Sequence, residues 1–115
     1  PPALADRPSY DHNPEFRLIR TSPGDMLTIA GVFAERLNQA QGPVRVAIPT
    51  QGLSIPNVPG GPFWDPEADA GFRDVLRKEL REDIPVSTHD HHVNDPEFGQ
   101  LVARLFLDLI QETPA

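Results

Sequence analysis

Residues 44–69 read VRVAIPTQGLSIPNVPGGPFWDPEAD, and this stretch decides the fold class. Val44–Ile48 is a short run rich in valine and isoleucine that stops at a proline, which is typical of a buried strand. The long loop that follows, residues 49–66, contains five prolines and three glycines. Asp65-Pro66-Glu67 then begins a helix, because aspartate caps a first turn and proline suits its first position. A strand followed by a helix in this way predicts one unit of an α/β sheet.

The flanking segments repeat this alternation. Phe16–Arg20 is a short strand candidate, and Ser22 caps a helix predicted to reach about Gln41. The helix that begins at Asp65 is predicted to end near Asp83. A weaker strand over Pro85–Asp90 and a third helix, begun by Asn94-Asp95-Pro96, complete the order β-α-β-α-β-α. Strands that alternate with helices imply parallel pairing through right-handed crossovers.

The predicted fold class is therefore α/β, with a three-layer, Rossmann-like parallel sheet over residues 16–112. Residues 1–15 hold four prolines and little apolar content, and we predict them to be a lead-in segment. Three strands make a thin sheet, and a parallel sheet needs cover on both faces. We therefore expect the chain to be part of a larger α/β unit, with earlier strands or a partner domain outside it.

Composition excludes several classes of function. The chain has 115 residues, a formal net charge of −7 and no cysteine. Without cysteine there are no disulfides, thiolate metal sites or cysteine nucleophiles. A negative balance weighs against a phosphate-binding face for nucleic acid. The apolar runs are too short to span a membrane. We expect a cytoplasmic protein with neither nucleic acid nor a membrane as partner.

Ligands of open parallel sheets bind beyond the carboxyl ends of the strands. Residues 21–25, 49–65 and 90–95 occupy these positions, and all three lead into helix N-termini, whose free amides favour anions. In the long loop, Gly60-Gly61 permits backbone conformations closed to other residues. The loop is either a ligand lid or partner surface, or a rigid connector whose Phe63 and Trp64 fill the core.

The cluster His89-Asp90-His91-His92-Val93-Asn94-Asp95 holds the side chains best suited to acid–base chemistry. His92 or Asp95 could move a proton, and Asp65 could orient the reacting group. The alternative is structural, with hydrogen-bonded histidines at a polar strand end and aspartates that cap helices. A metal site is a further alternative, but neighbouring strand residues face opposite ways, and we predict none.

Several motifs recur together in one known family. They are HNP at 12–14, RT at 20–21, RLN at 36–38, GPV at 42–44, PGGPFWDPEAD at 59–69 and HHVNDPEF at 91–98. In these motifs the chain resembles the carboxyl-terminal part of the ATP-binding domain family of the plant tobamovirus resistance protein. The resemblance implies a Rossmann-like protein of two subdomains, with nucleotide or anion binding and self-association. Gln51 stands where the family pattern suggests a lysine or arginine, and Asn57 where it suggests an aspartate.

The leading hypothesis is a binding module for ATP, with Mg²⁺, or another phosphate-bearing metabolite, working together with the rest of the family domain. Ligand contacts are predicted at six positions: Gln51, Gly52, Ser54, Gly60, Gly61 and Asn94. A second hypothesis is an enzyme acting on a small carboxylated or phosphorylated metabolite through His92, Asp95 and Asp65. A third is a structural subdomain whose apolar first helix forms a dimer or interdomain contact, and we expect a homo-oligomer.

Overall fold

A computed structural model describes residues 1–112 and shows a mixed α/β fold with three helices and two small sheets. A short 3₁₀ turn at Pro2–Leu4 comes first. The elements that follow are, in chain order, β1 (Ser9–Asn13), β2 (Phe16–Ile19), α1 (Pro23–Asn38), β3 (Val46–Pro49), α2 (Pro66–Glu79), β4 (Val86–His89) and α3 (Pro96–Glu112).

The parallel pair is formed by β3 and β4, which are joined by the crossover through α2. Val46 lies beside Val86, and Pro49 lies beside His89. The strand predicted from the VRVAI run, the strand after residue 85 and the helix between them are thereby confirmed. In residues 1–112 this sheet contains two strands only, and β3 pairs with β4 alone.

The first predicted strand is not part of the parallel sheet. The predicted β-α-β-α-β-α order with all three strands in one sheet is therefore wrong in its first strand. Phe16–Ile19 pairs with Ser9–Asn13 in an antiparallel hairpin, so the segment predicted as a lead-in contributes a strand. The Asn13 side chain closes the turn, because its Oδ1 accepts from the backbone N–H groups of Glu15 and Phe16 at 2.9 Å each. An asparagine that bonds its own backbone in this way favours a tight turn.

The core lies between the parallel pair and the helices α1 and α2, which pack against each other. Its buried members are Ala34, Ile48, Leu76, Leu80 and Ile84. At the C-terminal ends of the two helices, the Asn38 side chain donates to the Glu79 carbonyl at 2.9 Å and accepts from the Arg81 backbone N–H at 2.8 Å. These bonds fix the ends of both helices against each other.

The first helix begins at the predicted residue and ends slightly earlier than predicted. Ser22 and Asp25 form a capping box, in which each side chain accepts a hydrogen bond from the other residue's backbone N–H. The last helical residue is Asn38 rather than one near Gln41. Its apolar residues Leu27, Val32 and Phe33 are exposed.

The third helix extends away from the core. Phe98 is its one buried residue among those described, and Val102 and Phe106, one and two turns further along the same side of the helix, are exposed. The Cα radius of gyration is 16.1 Å and the principal extents are 52 × 29 × 25 Å. A compact domain of this length has a radius of gyration of about 13 Å. The fold is therefore elongated, with apolar surface left uncovered.

Candidate functional site

The candidate site lies beyond the carboxyl ends of β3 and β4, where two chain segments are bonded to each other. The backbone N–H groups of Thr50 and Gln51 donate to the carbonyls of His89 and His91, at 2.9 Å each. The Val93 N–H donates to the Gly52 carbonyl at 3.0 Å. Backbone hydrogen bonding thus continues past the strands and joins the start of the long loop to the turn before α3.

Gly52 is held where only glycine fits. Its φ is +126°, a conformation that side chains rarely adopt. A Cβ built there would lie 1.8 Å from the Asn57 carbonyl oxygen and 2.6 Å from Cδ2 of His92. The close approach of three chain segments at this point explains why the loop can turn back on itself, and it makes the predicted contact residue Gly52 a packing position.

His92 fastens the long loop to the turn through both ring nitrogens. Its Nδ1 lies 3.0 Å from the Asn94 backbone N–H, and its Nε2 lies 2.7 Å from the Ser54 carbonyl oxygen. Because the N–H can only donate and the carbonyl can only accept, the neutral ring with its proton on Nε2 satisfies both bonds. His92 therefore matches the structural alternative of a hydrogen-bonded histidine, with partners that the sequence did not predict.

The two candidate aspartates lie at the starts of their helices. The Asp65 carboxylate caps α2, accepting from the Ala68 backbone N–H at 3.1 Å. The Asp95 carboxylate accepts from the His92 N–H at 2.9 Å and lies 4.0 Å from Nδ1 of His91. Asp65 thus fills the capping role that was the structural alternative, whereas Asp95 holds the turn to which His92 belongs.

The remaining predicted contact residues surround this edge. The Gln51 side chain donates to the Asp90 carboxylate at 2.5 Å. Ser54 contributes its backbone carbonyl, which accepts from both His92 and the Asn57 N–H. Gly60, with a φ of +80°, has open space where a Cβ would stand. Gly61 is closed in instead, since a Cβ there would come within 2.6 Å of the Pro56 carbonyl oxygen.

Asn94 is exposed at the same edge. The structure therefore brings His92, Asp95, Asn94, Gln51, Gly52 and Ser54 together, while Gly60, Gly61 and Asp65 lie further along the loop. Within the loop, Phe63 is buried against Tyr10 and Trp64 is half-buried. Both aromatic residues thus help to seat the loop on the fold.

A buried polar network beneath the loop was not recognised as a unit from the sequence. Arg20 Nη2 donates to Asp69 Oδ1 at 2.6 Å, and Asn57 Nδ2 donates to Asp69 Oδ2 at 2.9 Å. The exposed fractions of Arg20, Asn57 and Asp69 are 8%, 2% and 7%. The network joins the end of β2, the long loop and α2. The one sequence signal was an arginine directly after an apolar strand, which left its partner undetermined.

The charge of the edge does not match a triphosphate. Residues 50–65 and 90–95 contain Asp65, Asp90 and Asp95 but no lysine or arginine, and Arg20 is already paired. Phosphate groups are normally met by arginine, lysine or several free backbone amides. These two segments alone therefore do not fit the phosphates of ATP. Within residues 1–112, no three histidine, aspartate or glutamate side chains form a group able to hold a metal ion.

Comparison with known proteins places this α/β domain in a family. Residues 1–110 match the description "Uncharacterised protein family (UPF0261) C-terminal domain". The chain therefore belongs to this family. None of the helices in the described part of the chain has the length and apolar content that crossing a membrane requires.

Among its relatives, the chain is 34% identical over 111 residues to the ToMV resistance protein Tm-1 of Solanum lycopersicum, covering 95% of this chain and 15% of the relative. It is 34% identical over 116 residues to a UPF0261 protein of Rhizobium meliloti, covering 95% of this chain and 28% of that protein. It is 37% identical over 102 residues to a UPF0261 protein of Mesorhizobium japonicum, covering 87% of this chain and 25% of that protein. The chain thus spans between about a seventh and somewhat over a quarter of these relatives.

Proposed function

We propose that this chain forms one wall of a binding site for a phosphate-bearing metabolite, ATP among the candidates, completed by the rest of the family protein. The observation that carries the proposal is the bonding of the long loop to the turn at residues 90–95, through Gly52 and His92. This is the edge at which ligands of parallel sheets bind. A loop held in place before binding loses less entropy when a ligand arrives.

The charges decide which part of the ligand this wall would contact. Since the wall is acidic, the phosphates would be met by cationic residues, or by Mg²⁺, on the side supplied by the rest of the protein. Asn94 and the open backbone at Gly60 would contact the uncharged part of the ligand. In the same proposal, β3 and β4 are two strands of a larger, Rossmann-like, three-layer sheet in a cytoplasmic protein of two subdomains.

Thermal unfolding with and without Mg²⁺-ATP tests the proposal, in this chain and in the longer family protein. A ligand at 100 times its dissociation constant adds about 2.7 kcal/mol of stability. We expect this increase in the longer protein, little change in this chain, and a weaker effect in the longer protein after Asn94→Ala. If neither nucleotides nor other phosphorylated metabolites stabilise the longer protein, the proposal is wrong.

The enzyme alternative makes a specific demand on His92. Proton transfer through this ring would require it to release either the Ser54 carbonyl or the Asn94 N–H. A substrate whose turnover disappears in His92→Gln, while its binding persists, would support that alternative over simple binding.

Self-association is a second candidate function, and the first helix favours it. Leu27, Val32 and Phe33 expose 46%, 43% and 50% of their surface, although a soluble helix normally buries such residues. A homodimer or a contact between domains would cover them. Sedimentation of this chain over a range of concentrations tests this function, and a monomer at every concentration would exclude the homodimer.

A further inference from the structure

The open edge of β3 lies in an apolar groove of about 610 Å³. One wall belongs to α1 and α2 and includes Phe33 and Phe72, whose rings meet edge to face at 5.6 Å between centroids. The opposite wall belongs to α3 and includes Val102 and Phe106, which expose 41% and 60% of their surface. All four residues of β3 line the floor. The groove therefore lies between two helical layers, beside a strand edge.

The two walls cover opposite faces of the parallel pair. Val46 and Ile48 point into the core with α1 and α2. Side chains alternate along a strand, so the next residue, Ala47, points to the other face. In β4, His89 lies on that other face as well, and its ring packs 6.3 Å from the ring of Phe98 in α3. The start of α3 thus lies on the face of the parallel pair opposite to α1 and α2.

The backbone of β3 can accept a further strand at this edge. Val46 donates to the Pro85 carbonyl and Thr50 to the His89 carbonyl, so alternate residues of β3 face β4. In a parallel ladder the intervening residues face the other way. The N–H and C=O groups of Ala47 therefore point into the groove. Pro49 has no N–H. On the open edge of β3, Ala47 is therefore the residue that can donate a hydrogen bond.

The connections indicate that the empty position belongs to the fold. Crossovers between parallel strands are right-handed, and α1 lies on the same face as α2. The crossover through α2 on this face leads from β3 to β4. A right-handed crossover through α1 on the same face would therefore start from a strand on the side of β3 opposite to β4. The strand directly before α1 does not occupy this position, because β2 lies in a separate sheet with β1. A strand on the open side of β3 would therefore come from outside the residues that the structure describes.

Resting on the larger sheet of the proposed function, we propose that a short apolar strand, from the part of a family protein outside this chain, pairs in parallel with the open edge of β3 between α3 and the α1–α2 layer. The relatives have the additional length that this requires, since the match to this chain spans only 15% to 28% of their sequences. An apolar strand suits a groove walled by aromatic and aliphatic side chains, because a strand covered on both faces is apolar throughout.

Hydrogen exchange at the Ala47 amide tests the pairing directly. In this chain we expect rapid exchange at Ala47 and slow exchange at Val46, whose N–H donates to the Pro85 carbonyl directly before β4. In the continuous family protein, Ala47 exchange should slow by at least about 100-fold. Rapid exchange at Ala47 in the longer protein would overturn the proposal. Slow exchange in this chain that requires high protein concentration would identify a second copy as the occupant, which would also overturn it.

A pair of neighbouring variants provides a second readout. Phe106 lines the groove, whereas Leu107, 56% exposed on the same helix, does not. Phe106→Asp should lower the melting temperature of the longer protein by several degrees, and Leu107→Asp should leave it nearly unchanged. In this chain alone, the two variants should change the melting temperature by similar amounts. Equal effects of the two variants in the longer protein would show that the groove stays open, against the proposal.

Discussion

Gly52 is the residue whose replacement should damage the candidate site most. Alanine at this position would combine an unfavourable φ, at a cost of about 1–3 kcal/mol, with a clash against the Asn57 carbonyl. Gly60→Ala is a matched control, since Gly60 also has a positive φ but has open space around it. Urea unfolding should show a clearly larger loss of stability for Gly52→Ala. Equal losses of unfolding free energy for the two variants would mean that the backbone around Gly52 can move to make room for a Cβ.

Arg20 and Asp69 form a buried ion pair whose partners depend on each other. Arg20→Leu would leave the Asp69 carboxylate buried and without its cation, which costs about 3–5 kcal/mol. The control is Arg17→Leu, because Arg17 pairs with Asp11 at 2.7 Å on the surface, where water screens the charges. Chemical denaturation should separate the two variants widely, and a small loss for Arg20→Leu would argue against a buried pair.

At the scale of single elements, the capping box of α1 makes stability depend on pH. Hydrogen bonding from the Ser22 backbone, then from its side chain, lowers the pKa of Asp25, and Arg7 contributes in the same direction. A carboxylate with a lowered pKa in the folded state binds fewer protons there than in the unfolded state. Its contribution is therefore present above the unfolded pKa and disappears as the pH falls through the folded value.

Unfolding free energies measured from pH 6 down to pH 3 should show this dependence. The wild-type chain should lose stability more steeply than Asp25→Asn below about pH 4. Parallel curves for the two proteins would contradict a stabilising role of the ionised Asp25 carboxylate.

The elements that could be predicted from the sequence are those with local signals. Ser22 and Asp65 cap their helices as expected, and the VRVAI run forms β3 with its end at Pro49. The partner of Phe16–Ile19 was not predicted, because a short strand carries no signal for its neighbour. The polar sequence of Ser9–Asn13 also concealed a strand whose residues are mostly exposed.

The candidate site was predictable in position and not in detail. The carboxyl ends of the strands follow from the order of elements, so the long loop and the turn at 90–95 could be expected to meet. The role of His92 could not, since it depends on the Ser54 carbonyl, 38 residues away in the chain. The pairing of Arg20 with Asp69 is likewise a product of tertiary packing, over 49 residues.

At the scale of the whole molecule, stability should be uneven. Helix α3 has little buried surface, whereas α1 and α2 pack against each other and against the sheet. Segments with few buried contacts open locally at low free-energy cost. In this chain, the amides of residues 102–110 should exchange with solvent faster than those of residues 70–78 in α2. Uniform exchange across both helices would show that α3 is held more firmly than its exposure indicates.

The long loop carries its own optical probe. Trp64 is the single tryptophan of the chain, and it lies half-buried between the Gly61 carbonyl, which accepts its backbone N–H at 3.3 Å, and the cap of α2. Indole emission shifts to longer wavelength when water gains access to the ring. The intrinsic fluorescence of the unlabelled protein therefore reports on this one loop, and a spectroscopist can follow its ordering in real time without introducing a dye.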